Sequence, residues 1–198
     1  MKGIEIMKRI AKMGMTIFTV SEFRRATDLS ETAAQKLLER YTKRGLLTRL
    51  KKGMYIVTDK PPTSFLISNK LYRPSYISFE SALSYHKLIP ETVYGVTAAT
   101  TKPTRNFVVA GKAFSYHKIK MSAYTDYTPT RICDEMILLA TPEKALVDYL
   151  YFVNLGKKPL YERLEISELN KEKILANTIL FRRPYFYKWV QNDILRDN

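Results

Sequence analysis

The residues best equipped for chemistry are few. His86 and His117 are the only histidines and Cys133 the only cysteine in 198 residues, too few to build a clustered His/Cys metal site. No Gly-x-Ser-x-Gly elbow, phosphate-cradling Gly-x-x-x-x-Gly-Lys loop or Gly-x-Gly-x-x-Gly fingerprint occurs, and seven glycines leave little room for one. A common nuclease core sets a lysine two residues after a metal-holding carboxylate, so that the ammonium steadies the attacking water. No Asp or Glu of this chain has Lys at that position. Glu143-Lys144 and Glu172-Lys173 are adjacent pairs, whose side chains diverge by about 100° on a helix. For Glu143 the expected role is to favour a helix N-terminus, with Lys144 solvated. The alternative is contact with a partner. Both histidines are expected at the core's edge or surface. Cys133 lies in the apolar run Ile132 to Ala140, which predicts a buried thiol in a reducing, cytoplasmic compartment. No enzyme, no catalytic residue, no metal and no cofactor are expected.

Recognition of a polyanion is the chemistry that the composition does favour. Thirty-three Lys and Arg against nineteen Asp and Glu give a net charge of +14. Residues 1–60 hold fourteen of those cations and six of the acids, so the charge is densest in the first third. Between Ser30 and Arg44, the positions Thr32, Gln35, Lys36, Glu39, Arg40 and Lys43 fall on one side of a helix. Such side chains hydrogen-bond base edges and phosphates in a major groove. Arg49, Lys51 and Lys52 follow on a hairpin and suit phosphate or minor-groove contact. A charged helix face alone is a solvated face. Here the helix, the turn before it, the hairpin tip and the charge agree on double-stranded DNA, with Ser30, Thr32, Gln35, Lys36, Arg40, Lys43, Arg49, Lys51 and Lys52 as its contacts.

The elements that must position those residues are legible in order. Gly3 to Gly14 has helical apolar spacing, and Thr16 to Thr19 reads as a short strand. Ser21 is the expected cap of a helix through Arg25 or Ala26, and Ser30 of a second over Glu31 to Arg44. Its apolar positions Ala34, Leu37, Leu38 and Tyr41 recur at i, i+3, i+4 and i+7, and Gly45 stops it. Leu46 to Leu50 and Met54 to Val57 are strands joined by Lys51-Lys52-Gly53. Strand, helix, turn, helix and hairpin in that order predict a winged helix-turn-helix over residues 1–60, closed by Asp59-Lys60-Pro61-Pro62.

Residues 61–198 predict a mixed α+β domain, which makes the whole chain α+β. Thr63 and Ser78 each begin a short helix, the second over Phe79 to His86, with Arg73-Pro74-Ser75 as an interruption. Tyr94 to Thr100, Asn106 to Val109 and Phe114 to Ile119 read as strands, as does Glu135 to Ala140. Thr141-Pro142-Glu143 is a strong helix start, with a hydroxyl cap, proline at the first position and then an acid. Two helices, Ser167 to Asn177 and Pro184 to Leu195, finish the chain. No apolar run approaches the ~18–20 residues that span a bilayer, and Met1 to Glu5 opens no signal-like apolar segment, so neither a membrane nor a secretory route is expected.

Two stretches carry a family resemblance: Tyr76-Ile77-Ser78-Phe79-Glu80-Ser81-Ala82-Leu83-Ser84-Tyr85-His86-Lys87-Leu88-Ile89-Pro90-Glu91, and Thr141-Pro142-Glu143-Lys144-Ala145-Leu146-Val147-Asp148. With the N-terminal winged helix, they make the chain resemble the AbiEi family of antitoxins from type IV toxin–antitoxin and abortive-infection systems. The first stretch departs from the family's pattern at Lys87, where Gly is usual. The resemblance implies a repressor that binds inverted repeats in its own promoter. It also implies an antitoxin that counters a nucleotidyltransferase-type toxin without a stable complex. A stand-alone transcriptional regulator, with a ligand- or partner-sensing C-terminal domain, is the alternative.

Overall fold

Thr19, rather than Ser21, caps helix α1 (Val20–Thr27). Its hydroxyl accepts from the Glu22 amide at 3.3 Å, and the Glu22 carboxylate accepts from the Thr19 amide at 2.7 Å. This reciprocal box needs a hydroxyl three residues before the acid, which Thr19 supplies and Ser21 does not. Asp28 ends α1 in the left-handed region at φ 55, its amide donating to the Arg24 carbonyl at 2.8 Å. Ser30 then caps α2 (Glu31–Lys43), accepting from the Ala33 amide at 3.3 Å. Gly45, at φ 72, turns the chain out of α2.

Strands β1 (Ile17–Thr19), β2 (Leu47–Lys51) and β3 (Met54–Val57) form an antiparallel sheet in the order β1-β3-β2. The β2–β3 hairpin turns at Gly53, φ 77, and carries a bulge between Arg49 and Lys51. Ala34, Leu38 and Tyr41 of α2 are buried against Phe18, Phe23, Leu47 and Tyr55, so the apolar stripe of α2 faces the core and its polar side faces out.

The computed structural model describes residues 6, 9, 10 and 12–196. Of the helix expected over Gly3 to Gly14, Ile6, Arg9, Ile10 and Lys12 have helical backbone, and Ile6 and Ile10 enter this core. Gly3, Ile4, Glu5, Met7, Lys8 and Ala11 lie outside the described residues. Thr63 opens α3 (Ser64–Leu71), accepting from the Leu66 amide at 3.2 Å. The chain divides into two units, Met1–Leu71 and Tyr72–Asn198, so α3 belongs with the first.

The second unit is built on a six-stranded mixed sheet. Its strands are β4 (Ser75–Ile77), β5 (Val96–Thr100), β6 (Arg105–Val109), β7 (Lys112–Lys118), β8 (Tyr127–Ile132) and β9 (Glu135–Ala140), in the order β6-β7-β5-β4-β9-β8. Ser75, the last residue of the expected interruption Arg73-Pro74-Ser75, instead opens the central strand β4, which is antiparallel to β5 and parallel to β9. Cys133 is exposed rather than buried. It and Asp134 have φ 47 and 64 and form the tight turn between β8 and β9, which places the thiol beyond the apolar strand that follows.

Four helices complete the unit: α4 (Phe79–Tyr85), α5 (Pro142–Asn154), α6 (Lys171–Ile179) and α7 (Pro184–Trp189). Thr141 caps α5 as expected, accepting from the Lys144 amide at 3.3 Å. The helix expected over Ser167 to Asn177 starts later, with Asn170 capping α6 by accepting from the Lys173 amide at 3.0 Å. A π-helical turn, Val190–Ile194, follows α7.

Lys144 is fully buried, which corrects the solvated position expected for it. Its ammonium donates to Asp148 at 2.5 Å and lies 4.9 Å from the centre of the Phe181 ring. Asp148 also accepts from the Tyr76 hydroxyl at 2.8 Å and the Ser78 hydroxyl at 2.7 Å. Ser78 therefore spends its side chain on this network and makes no capping bond to α4. Burial first, and then the Asp148 carboxylate, raise the Tyr76 phenol well above its ordinary range, so it stays a donor. Glu143 is buried as well and accepts from the Asn170 amide at 3.4 Å, tying the start of α5 to that of α6.

Candidate nucleic-acid interface

The face that α2 turns outward carries most of the residues expected to meet DNA. Ser30, Thr32, Gln35, Lys36, Arg40 and Lys43 are all exposed, while Ala34, Leu38 and Tyr41 lie beneath them in the core. Lys36, Arg40 and Lys43, with Glu39 and Arg44, line one shallow concavity of about 330 Å³. Arg44 was absent from the residues predicted to contact DNA. Its signal is spacing: Lys36, Arg40 and Arg44 recur at i, i+4 and i+8 and form one basic stripe. None of Lys36, Arg40, Lys43 and Arg44 makes an ion pair with a described residue. The Arg40 guanidinium sits 5.8 Å from the centre of the Tyr41 ring, a cation–π contact on an exposed side chain.

The start of α2 is held from both sides. Ser30 Oγ lies 3.3 Å from Thr32 Oγ1, so the cap and the first exposed hydroxyl support each other. Arg24 of α1 bonds Glu31 of α2 at 3.3 Å. Glu22 holds its carboxyl below the usual range, chiefly through the bond from the Thr19 amide. The N-terminal part of such a second helix is where base edges are reached in helix-turn-helix proteins.

The hairpin residues part company. Lys52 is exposed beside Gly53, and Arg49 is exposed with its Nε donating to the Lys51 carbonyl at 3.4 Å across the bulge. Lys51 is only partly exposed, and its ammonium donates to the Leu71 carbonyl at 2.6 Å, at the end of α3. A cation there complements the carbonyls of a helix C-terminus.

Residues 5–58 match the family described as "Transcriptional regulator, AbiEi antitoxin". The match covers α1, α2 and the β2–β3 hairpin, the elements that carry the basic face, and leaves the stretches 76–91 and 141–148 outside it. Over residues 5–58 the chain is similar to that family. No curated protein matches the chain. Among the described residues no helix is long and apolar enough to cross a membrane, and no cluster of three His, Cys, Asp or Glu side chains is placed to hold a metal.

The second unit has a cleft of about 450 Å³, with Glu80, Glu91, Ser115, His117, Lys158 and Tyr161 among its lining residues. The Lys158 ammonium bonds the Glu80 carboxylate. His117, packed edge-on to the Phe79 ring at 5.0 Å, is lowered to about 4 by burial, with Lys158 adding to the effect. Burial also raises the Tyr161 phenol. These groups give a polar cleft with an imidazole that is neutral at pH 7.

Proposed function

We propose that the chain is a DNA-binding transcriptional repressor that acts at inverted repeats of its own promoter and serves as an antitoxin against a nucleotidyltransferase-type toxin. The observation that carries this reading is the row of cations Lys36, Arg40, Lys43 and Arg44, which line one concavity on the outer face and C-terminal cap of α2 and make no ion pair with a described residue. Thr32 and Gln35 add neutral hydrogen-bonding groups at its start, suited to base edges, while Lys52 and Arg49 on the hairpin suit phosphates. The protein acts by occupying DNA, and reading an inverted repeat takes two copies on the duplex.

Binding of the full chain to its own upstream DNA, against scrambled DNA at two salt concentrations, tests the repressor half. The expected outcome is tight binding that prefers the upstream sequence and persists at the higher salt. Lys36→Ala or Arg40→Ala should weaken specific binding by about 1–3 kcal/mol where the side chain reads a base. Equal, salt-labile binding to both DNAs would sink the reading. Rescue from the toxin encoded alongside, on co-expression, tests the antitoxin half.

A second reading, a regulator whose C-terminal domain senses a ligand, is favoured by the cleft around His117. Its volume of about 450 Å³ lies within the ~300–1,000 Å³ of small-molecule sites. A compound that raised the melting temperature and released the operator would establish it.

A further inference from the structure

The C-terminal helices carry a surface that neither the basic face of α2 nor the His117 cleft uses. Ile179 at the end of α6, with Pro184 and Tyr187 of α7, lines a groove of about 470 Å³. Arg182, Arg183, Lys188 and Gln191 complete the lining, which contains no acid. None of these three cations makes an ion pair with a described residue. The apolar surface extends past the groove, because Ile179 is 59% exposed and the neighbouring Tyr185 is 72% exposed.

The groove is preformed. Phe181, in the turn between α6 and α7, is fully buried and lies 4.3 Å from the Tyr151 ring and 5.7 Å from the Phe186 ring. Ser122 pins the same turn by donating to the Leu180 carbonyl at 2.6 Å. The inner side of the turn is locked while its outer side displays cations and exposed apolar groups. Arg and Tyr are the residues that most often anchor protein–protein contacts, and exposed apolar surface rimmed by polar groups marks such sites. The charge selects the partner's sign. The apolar floor sets this surface apart from one that only meets phosphates.

We propose that this groove docks an acidic, apolar segment of a partner protein, its hydrocarbon side chains entering between Ile179 and Tyr187 and its carboxylates meeting Arg182, Arg183 and Lys188. The site lies outside the matched residues 5–58 and is independent of the DNA reading.

The test is fluorescence anisotropy of the full chain with a labelled synthetic peptide of Glu, Leu and Phe. Controls are an all-Glu peptide, a Lys-for-Glu peptide, a random DNA duplex and phosphatidylserine vesicles. Saturable binding of the Glu/Leu/Phe peptide is expected. It should weaken at least about tenfold in Arg183→Glu/Lys188→Glu and in Ile179→Ser, since both attraction and apolar anchoring are lost. Ile179 is exposed, so its variant should keep the wild-type melting curve followed by the fluorescence of Trp189. Absence of saturable binding, or variants that bind as the wild type does, would overturn the proposal. So would equally tight binding of the all-Glu peptide, or binding of the duplex or of the vesicles that depends on Arg183 and Lys188.

Discussion

The Lys51 ammonium donates to the Leu71 carbonyl at 2.6 Å, while Lys52 stands exposed beside Gly53. From sequence the two were equivalent phosphate contacts, because adjacency on a hairpin says nothing of a helix end twenty residues later. The geometry predicts that Lys52→Ala weakens binding to all DNA sequences and reduces the salt slope by about one. Lys51→Ala should leave the slope nearly unchanged and lower stability by about 1 kcal/mol. Salt titrations and urea melts of the two variants check this, and equal slopes would return both lysines to the DNA. The buried Lys144–Asp148 pair makes a separate prediction. Asp148→Asn leaves the ammonium without its counter-charge in a fully buried site and should cost about 3–5 kcal/mol. Lys144→Met added to Asp148→Asn should recover part of that loss, because the unpaired charge is gone. Urea unfolding followed by Trp189 fluorescence would show it, and a double variant no better than the single would contradict it.

Elements were legible where local chemistry alone decides them. The Ser30 and Thr141 caps, the 3.6-residue stripe of α2 and the Lys-Lys-Gly hairpin are short-range signals, and each stands where the sequence placed it. The failures share a cause, which is that the deciding partner is distant or the local signal is short. Strand β4 has three residues, too few to show a period of two, and is held by β5 and β9 from far along the chain. Lys144 reads as a solvated position until Asp148 and Phe181 are seen to enclose it. Cys133-Asp134 lacks the glycine that usually announces a two-residue turn with positive φ. In the DNA-facing set, the basic stripe was readable at Lys36 and Arg40, but its third member, Arg44, the last residue of the expected helix, was not among the expected contacts although it stands four residues after Arg40. Thr19 against Ser21 gives this scale its own prediction. Thr19→Ala should destabilise the first unit by about 1 kcal/mol through loss of the capping box, whereas Ser21→Ala should stay within about 0.5 kcal/mol. Thermal melts of the two variants decide between the caps.

At the scale of the whole molecule, the charge of +14 draws the chain to polyanions, and acidification adds to it. The two units respond to acid through different groups. In the first, Glu22 has its pKa lowered, so its contribution to stability is lost as pH falls from the ordinary value of 4.5 through the lowered one. In the second, the imidazole of His117 faces the Phe79 and Phe152 rings and the Glu80–Lys158 pair, with Lys157 nearby, and is lowered to about 4 from an ordinary 6.5. The unfolded chain takes up this proton near pH 6.5 and the folded chain only near pH 4. Between those values the unfolded state holds the extra proton, so stability falls as pH falls. Trp189 is the one tryptophan of the chain and lies in the second unit, so its fluorescence follows that unit's unfolding. The melting temperature read from Trp189 should therefore decline steadily from pH 6.5 to pH 5, before carboxylates begin to titrate. His117→Phe keeps an aromatic ring between Phe79 and Phe152 and removes the titrating nitrogen, so the same curve should flatten across that interval. A variant whose melting temperature declined as steeply as the wild type's would move the pH sensitivity away from His117.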